Sequence, residues 1–173
     1  VMFEVLADGL AFPEGPIAMA DGSVVLVEML GMRLTRVRPD GSVDTVAEMP
    51  GGPNGAALAH DGRIIVCNNG GKFAGALLTG DLHADPGDLY IGGRIQAVDL
   101  LTGTVEDLYV DCDGNPFAAP NDLVMDAHGG FYFTDNGFTR GRSTLESGIY
   151  YGMVDGSRVV EVEFPAFDAN GIG

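Results

Sequence analysis

The chain is poor in basic residues. Nine Lys and Arg stand against 25 Asp and Glu, a formal net charge of −16 over 173 residues. Nucleic acids and anionic membrane surfaces are bound through basic patches, so this balance argues against both as partners. It is compatible with cation binding and equally with a plain acidic surface. Cysteine is scarce too. Cys67 and Cys112 are the only thiols and lack metal-ligand spacing, so neither a zinc cluster nor a disulfide framework is expected. They read as buried, reduced thiols of a cytoplasmic protein, with a disulfide as the alternative. No apolar run approaches the ~18 residues of a membrane-spanning helix. The opening "VMFEVLADGL" has neither the basic region nor the apolar stretch of a signal peptide. It does not begin with Met, so sequence upstream is expected.

Several catalytic signatures are also missing. No G-x-S-x-G elbow supports a serine hydrolase, and no glycine loop is arranged to cradle phosphate. "DCDGN" at 111–115 lacks the spaced acids and closing Glu of an EF-hand and reads as a turn. Convincing helical periodicity is absent. What is present is 27 glycines and short strand-like runs such as "SVVLVEM", "RIIVCNN", "GFYFTDN" and "RVVEVEF", separated by DG, GG and TG turns. That pattern is all-β.

Three stretches align: "FPEGPIAMADG" at 12–22, "GPNGAALAHDG" at 52–62 and "APNDLVMDAHG" at 119–129. Each runs from Pro through Glu or Asn into an apolar strand and a glycine turn. Their key residues are Glu14, Asn54 and Asn121, and a fourth copy starts at Asn170, giving spacings of 40, 67 and 49 residues. Further strands are expected at 23–29, 33–38 and 43–49, at 63–69, 94–100 and 104–110, and at 130–136, 148–154 and 158–164. Each unit is then a four-stranded antiparallel meander, the blade of a β-propeller. Blade 1 is placed at about 13–49, blade 2 at about 54–110 and blade 3 at about 121–164, with blade 4 starting at 170. Three blades cannot close a ring, whereas six at this spacing need roughly 310 residues. A complementary half-propeller or a second copy is therefore expected to complete the array, and "MFEVLADGL" reads as an orphan strand on the outside of the last blade.

In such a blade the first strand lines the central axis and starts at one face, here called the top. Glu14, Asn54, Asn121 and Asn170 all open first strands, so they converge at the mouth of the channel. One carboxylate with several carboxamides, and no Cys or His, suits a hard divalent cation, Ca2+ first. Ordinary turn chemistry accounts equally well for Asn54 but does not explain Glu14. The loops at about 70–93 and 137–147 reach the same face and bring Lys72, His83, Arg140 and Arg142, candidates for an anionic or hydroxylated ligand; plain solvated loop charge is the competing explanation. His60 and His128 fall in bottom-face turns, away from the site.

The motifs "EGP" at 14–16, "GGPNG" at 51–55, "PNDLVMDAHGGFYFTD" at 120–135 and "NGI" at 170–172 resemble the senescence-marker-protein/gluconolactonase family, whose layout the diisopropyl fluorophosphatase branch shares. The resemblance covers the whole chain but about half of a family member. It implies a six-bladed propeller with one divalent cation held by Glu14, Asn121 and Asn170, with Zn2+, Mn2+ or Fe2+ as alternatives to Ca2+. A late Asp that the family uses as ligand and base has no counterpart here. The resemblance places Asn54 beside the substrate; the loop reading adds Arg140 and Lys72 as candidate substrate contacts. The resemblance implies that Asp122, which follows the metal Asn, stands either behind the metal ligands or close to the reacting water. Asp122 and Glu14 are therefore the catalytic candidates, Glu14 as ligand first and base second. The implied activity is hydrolysis of a sugar lactone. A phosphotriester or other ester hydrolase, and a non-catalytic binding module, are the alternatives.

Overall fold

A computed structural model describes residues 4–173. Three four-stranded antiparallel sheets follow one another along the chain. The first holds β1 (Pro13–Ala18), β2 (Val24–Glu28), β3 (Arg33–Val37) and β4 (Val43–Glu48) in that order. The second holds β5 (Pro53–Leu58), β6 (Ile64–Asn68), β7 (Arg94–Val98) and β8 (Val105–Tyr109). A two-residue hairpin, β9 (Asp111–Cys112) with β10 (Asn115–Pro116), turns at Asp113 and Gly114, so the "DCDGN" stretch is a turn. The third sheet is built on β11 (Pro120–Met125) and β12 (Gly130–Asp135). A side hairpin follows, β13 (Phe138–Arg140) with β14 (Ser143–Leu145), and β15 (Ser147–Met153) and β16 (Val159–Ala166) complete the sheet.

Side-chain alternation stacks the sheets face to face. In β6 the run Ile64–Asn68 is fully buried because both of its faces are covered. Ile64 and Val66 pack with Val25, Val27, Leu34 and Met49 of the first sheet. Ile65 and Cys67 pack with Leu123, Phe131, Phe133 and Tyr150 of the third. Phe117, Phe133 and Tyr150 form an aromatic knot with centroids 5.1–5.3 Å apart. Cys67 and Cys112 are both buried free thiols. No helix among the described residues is long and apolar enough to cross a membrane. The only α-helix among them is the four-residue Ala76–Thr79, in the loop between β6 and β7.

The expected orphan strand is not found. Val1, Met2 and Phe3 lie outside the described residues, and 4–12 form no strand. A strand needs a hydrogen-bonded neighbour, and this segment is instead tied down by a side chain. The Ala11 N–H donates to Glu28 Oε2 at 2.7 Å. Glu28 is completely buried and also accepts from Arg33 Nε at 2.8 Å and from the Thr35 hydroxyl at 2.7 Å. Burial acts to raise its pKa, but these donors, Arg33 foremost, outweigh it and hold the carboxyl at about 2 against an ordinary 4.5.

A depressed carboxylate stabilises the fold fully above its unfolded pKa of 4.5 and loses that contribution as the pH falls towards 2. Allowing for solvent around the partly exposed Arg33, this group accounts for about 2 kcal/mol of acid sensitivity. Chemical denaturation across that window should show Glu28→Gln flattening the decline relative to the parent. Parallel pH profiles would contradict the assignment.

Candidate active site

Three strand openings and the segment after β16 meet at one cavity. Glu14, Asn54, Asn121, Asp122 and Asn170 line one cavity of about 440 Å³. Its apolar wall comes from Phe12, Met29, Phe73 and Leu82. The carboxylate of Glu14 and the carboxamides of Asn54, Asn121 and Asn170 make no side-chain hydrogen bond among the described residues, whereas every fully buried side-chain nitrogen and oxygen there has a partner. The side-chain oxygens of these four residues are therefore free for a ligand.

Local backbone irregularity aims them. In each sheet the first strand pairs regularly at its opening proline, Pro13, Pro53 or Pro120, and then slips register. The slip falls between Glu14 and Ile17, between Pro53 and Ala56, and between Pro120 and Leu123. Two residues of the first strand then oppose one of the second, a bulge that takes a side chain out of the in–out alternation.

Glycine sets the spacing between neighbouring first strands. A Cβ on Gly15 would stand 2.6 Å from the Ala56 nitrogen of the next sheet, and Gly15 has φ +53°. A Cβ on Gly55 would stand 2.6 Å from both the Asn121 carbonyl oxygen and the Asp122 Cα. In the third sheet Asp122 takes the glycine's place and reaches forward instead. Its Oδ1 accepts the Leu123 N–H at 2.8 Å and its Oδ2 the Ile172 N–H at 3.2 Å. The Thr134 hydroxyl donates to the Asn170 carbonyl at 2.5 Å, and the Asn136 amide donates to Asp168 at 2.9 Å. These contacts bring the segment with Asn170 to the cavity.

Lys72 and Arg140 are placed elsewhere. They line an adjoining cavity of about 310 Å³ together with His83, and Phe73 and Leu82 are shared between the two cavities. Lys72 Nζ donates to Asn136 Oδ1 at 2.5 Å and to the Gly137 carbonyl at 3.0 Å. Burial lowers the pKa of this ammonium, against the pull of the Asp135 and Asp168 carboxylates. Arg140 pairs with Asp85 at 3.1 Å. His60 and His128 sit in the turns at the opposite ends of the first strands, where His60 Nε2 lies 2.9 Å from the Asp126 carbonyl oxygen.

Chemically the cavity offers two carboxylates and three carboxamides. An oxygen-only set suits a hard cation, and the nitrogen or sulfur donors that favour zinc do not line it. Among the described residues no group of three or more His, Cys, Asp and Glu is arranged to hold a metal, so carboxamides must share any coordination. The apolar wall has no counterpart in the sequence reading beyond the length of the 70–93 loop, which supplies Phe73 and Leu82.

The molecule is thus an array of stacked four-stranded sheets with an oxygen-lined cavity at the openings of its innermost strands. The family described as SMP-30/Gluconolactonase/LRE-like region matches residues 12–173, and the chain belongs to that family. Lactonase drp35 of Staphylococcus saprophyticus is 30% identical over 172 residues, covering 98% of this chain and 46% of the relative. A gluconolactonase from Xanthomonas campestris superimposes with a TM-score of 0.69 at 23% identity, over 91% of this chain and 49% of its own. Virginiamycin B lyase from Staphylococcus aureus superimposes with a TM-score of 0.62 at 15% identity, over 92% and 43%. The two structural likenesses carry the fold alone, and the second shows a lyase on the same architecture. The chain spans about half the length of the relatives it matches.

The close approach at Gly55 is testable. Gly55→Ala puts a methyl group against backbone that cannot rotate away, and overpacking of this kind destabilises by roughly 1–3 kcal/mol. Chemical denaturation should show a loss in that range. A change within about 0.5 kcal/mol, the ordinary scatter of a neutral substitution, would contradict the close packing of the first strands.

Proposed function

We propose that the complete protein is a divalent-metal-dependent hydrolase that opens a sugar lactone. The reading includes a six-bladed propeller in which 13–49, 54–110 and 121–164 are three blades and 170 begins a fourth. One observation carries it: Glu14 and Asn121, on two separate strand openings, and Asn170, on the segment after β16, line one cavity, and their side chains make no hydrogen bond among the described residues. Family membership supports the lactonase chemistry. The name of the Staphylococcus saprophyticus relative supports a lactone as the small-molecule substrate. The buried free thiols Cys67 and Cys112 fit a cytoplasmic location.

Glu14, Asn121 and Asn170 would hold the cation, Ca2+ in preference to Zn2+, Mn2+ or Fe2+ because every donor is oxygen. A bound dication supplies Lewis-acid polarisation of the lactone carbonyl and lowers the pKa of water. Asn54 offers its carboxamide N–H to a substrate oxygen. Phe12, Phe73 and Leu82 exclude bulk water and strengthen the polar contacts inside. Asp122 is held in orientation by the Leu123 and Ile172 N–H groups and accepts a proton from the attacking water as general base. Glu14 is the second candidate for that proton.

The full-length protein should release acid from gluconolactone, and a chelator should abolish the release. Glu14→Gln should lower kcat/KM by about 100-fold or more, the scale for losing electrostatic stabilisation of a transition state. Acid release that survives both chelator and Glu14→Gln would overturn the metal role. No acid release at all would favour a binding module on this scaffold.

The 173-residue chain alone offers Glu14 as its one charged ligand beside two neutral amides. Calcium affinity rises with ligand charge and number. Calorimetry on the isolated chain should therefore show no micromolar Ca2+ binding, and a micromolar isotherm would contradict the ligand assignment.

A further inference from the structure

The three sheets share a device that the cavity residues do not explain. Each second strand ends in a buried polar side chain: Glu28, Asn68 and Asp135, all 0–1% exposed. Each is the register partner of the proline that opens the first strand, as Pro13 with Glu28, Pro53 with Asn68 and Pro120 with Asp135. Each stands 14 residues beyond its own opening residue, 28 from 14, 68 from 54 and 135 from 121. Each accepts backbone N–H groups from the chain about to enter the first strand. Glu28 takes Ala11 at 2.7 Å, Asn68 takes Gly52 at 2.8 Å, and Asp135 takes Ala118 at 2.7 Å and Ala119 at 2.8 Å. The following residue answers in the other direction. Met29, Asn69 and Asn136 donate their N–H groups to the carbonyls of Phe12, Gly52 and Ala119 at 2.9, 2.8 and 3.0 Å.

We infer that Glu28, Asn68 and Asp135 are positioning residues that fix where Glu14, Asn54 and Asn121 stand at the cavity. The inference rests on the reading of that cavity as a cation site. The backbone bonds from Met29, Asn69 and Asn136 hold the carbonyls of the lead-in, and the buried side chain is what holds its N–H groups. Phe12 adopts φ +61°, a left-handed conformation that a phenylalanine rarely takes without support, and Gly51 adopts φ +105° against Asn68. The proline that follows has no N–H to anchor it. The side chain at the end of the second strand, with the backbone N–H that follows it, thus forms the clamp from which the opening is hung. Side chains that orient ligands in this way typically change metal affinity about 10–100-fold when altered.

The test uses the full-length protein and Ca2+ alone. Glu28→Gln is compared with Val25→Ala, a core truncation that destabilises the same sheet without touching the lead-in. Calorimetry is done at a temperature where both are folded, with amide exchange followed at residues 11–15. Glu28→Gln should weaken Ca2+ binding about tenfold and speed exchange at 11–15, while Val25→Ala leaves affinity within about twofold of the parent. Equal effects of the two variants on affinity would overturn the inference, since a merely structural role predicts that. If the parent binds no divalent cation, the metal reading fails by itself and exchange decides. Acceleration confined to 11–15 in Glu28→Gln then upholds the positioning role, and its absence overturns it. If Glu28→Gln does not fold, Thr35→Val, which removes only the hydroxyl donor to Glu28 Oε1, is read the same way with a smaller expected change of about two- to threefold.

Discussion

Buried backbone N–H groups must find an acceptor, and in this molecule that requirement organises the site. Where the chain approaches the first strand of each sheet, its amides lie outside the β ladder and have no strand partner. Leaving such a group unmet costs about 1–3 kcal/mol. A buried carboxylate or carboxamide at the end of each second strand meets it. Because that acceptor belongs to the same sheet, the incoming chain is registered against the strand it is about to pair with. The opening residue is then delivered to the axis at a fixed height. The acceptors differ in kind, Glu, Asn and Asp, yet occupy one structural position, which points to the hydrogen bond rather than the charge as the common element.

The second constraint is the distance between first strands. Gly15 and Gly55 let one inner strand lie directly against the next, and Asp122 replaces the glycine where the following segment is caught by its carboxylate instead. The openings are stitched in one direction along the array, each touching the next. With the bulge in each of the three first strands, this leaves the side chains of Glu14, Asn54, Asn121 and Asn170 unengaged and lining a common space. Polar groups that satisfy one another would make a stable core but an inert one. The division between satisfied acceptors behind the site and free oxygens within it is the feature that supports a ligand.

Much of this was legible in the sequence. The Pro-Glu and Pro-Asn openings, their recurrence and the topology of a four-stranded meander suffice to bring Glu14, Asn54, Asn121 and Asn170 together, because strand direction alone puts all four at one end. The strands themselves fall within one or two residues of those expected for β2 to β4 and β6 to β8. Other features carry no such periodic signal. The bulges insert one residue into a strand without altering its composition. Glu28 and Asp135 read as ordinary strand-end acids, since their burial depends on donors from a segment far along the chain. The destination of Lys72 and Arg140 depends on how the 70–93 loop folds over the 137–147 hairpin. That loop contains a short helix with no amphipathic pattern to announce it. The segment before Pro13 reads as an orphan strand on the outside of the last blade, but with no pairing partner among the described residues, 4–12 form none.

The account stands or falls on whether the gathered oxygens share an ion. The most direct measurement is a crystal structure of the full-length protein grown with Ca2+, with the anomalous signal used to locate the metal. The account predicts a peak in the cavity with Glu14, Asn121 and Asn170 oxygens at about 2.3–2.6 Å, the range for calcium–oxygen bonds. A cavity without a peak, or a calcium ion bound elsewhere while these three side chains point apart, would contradict it.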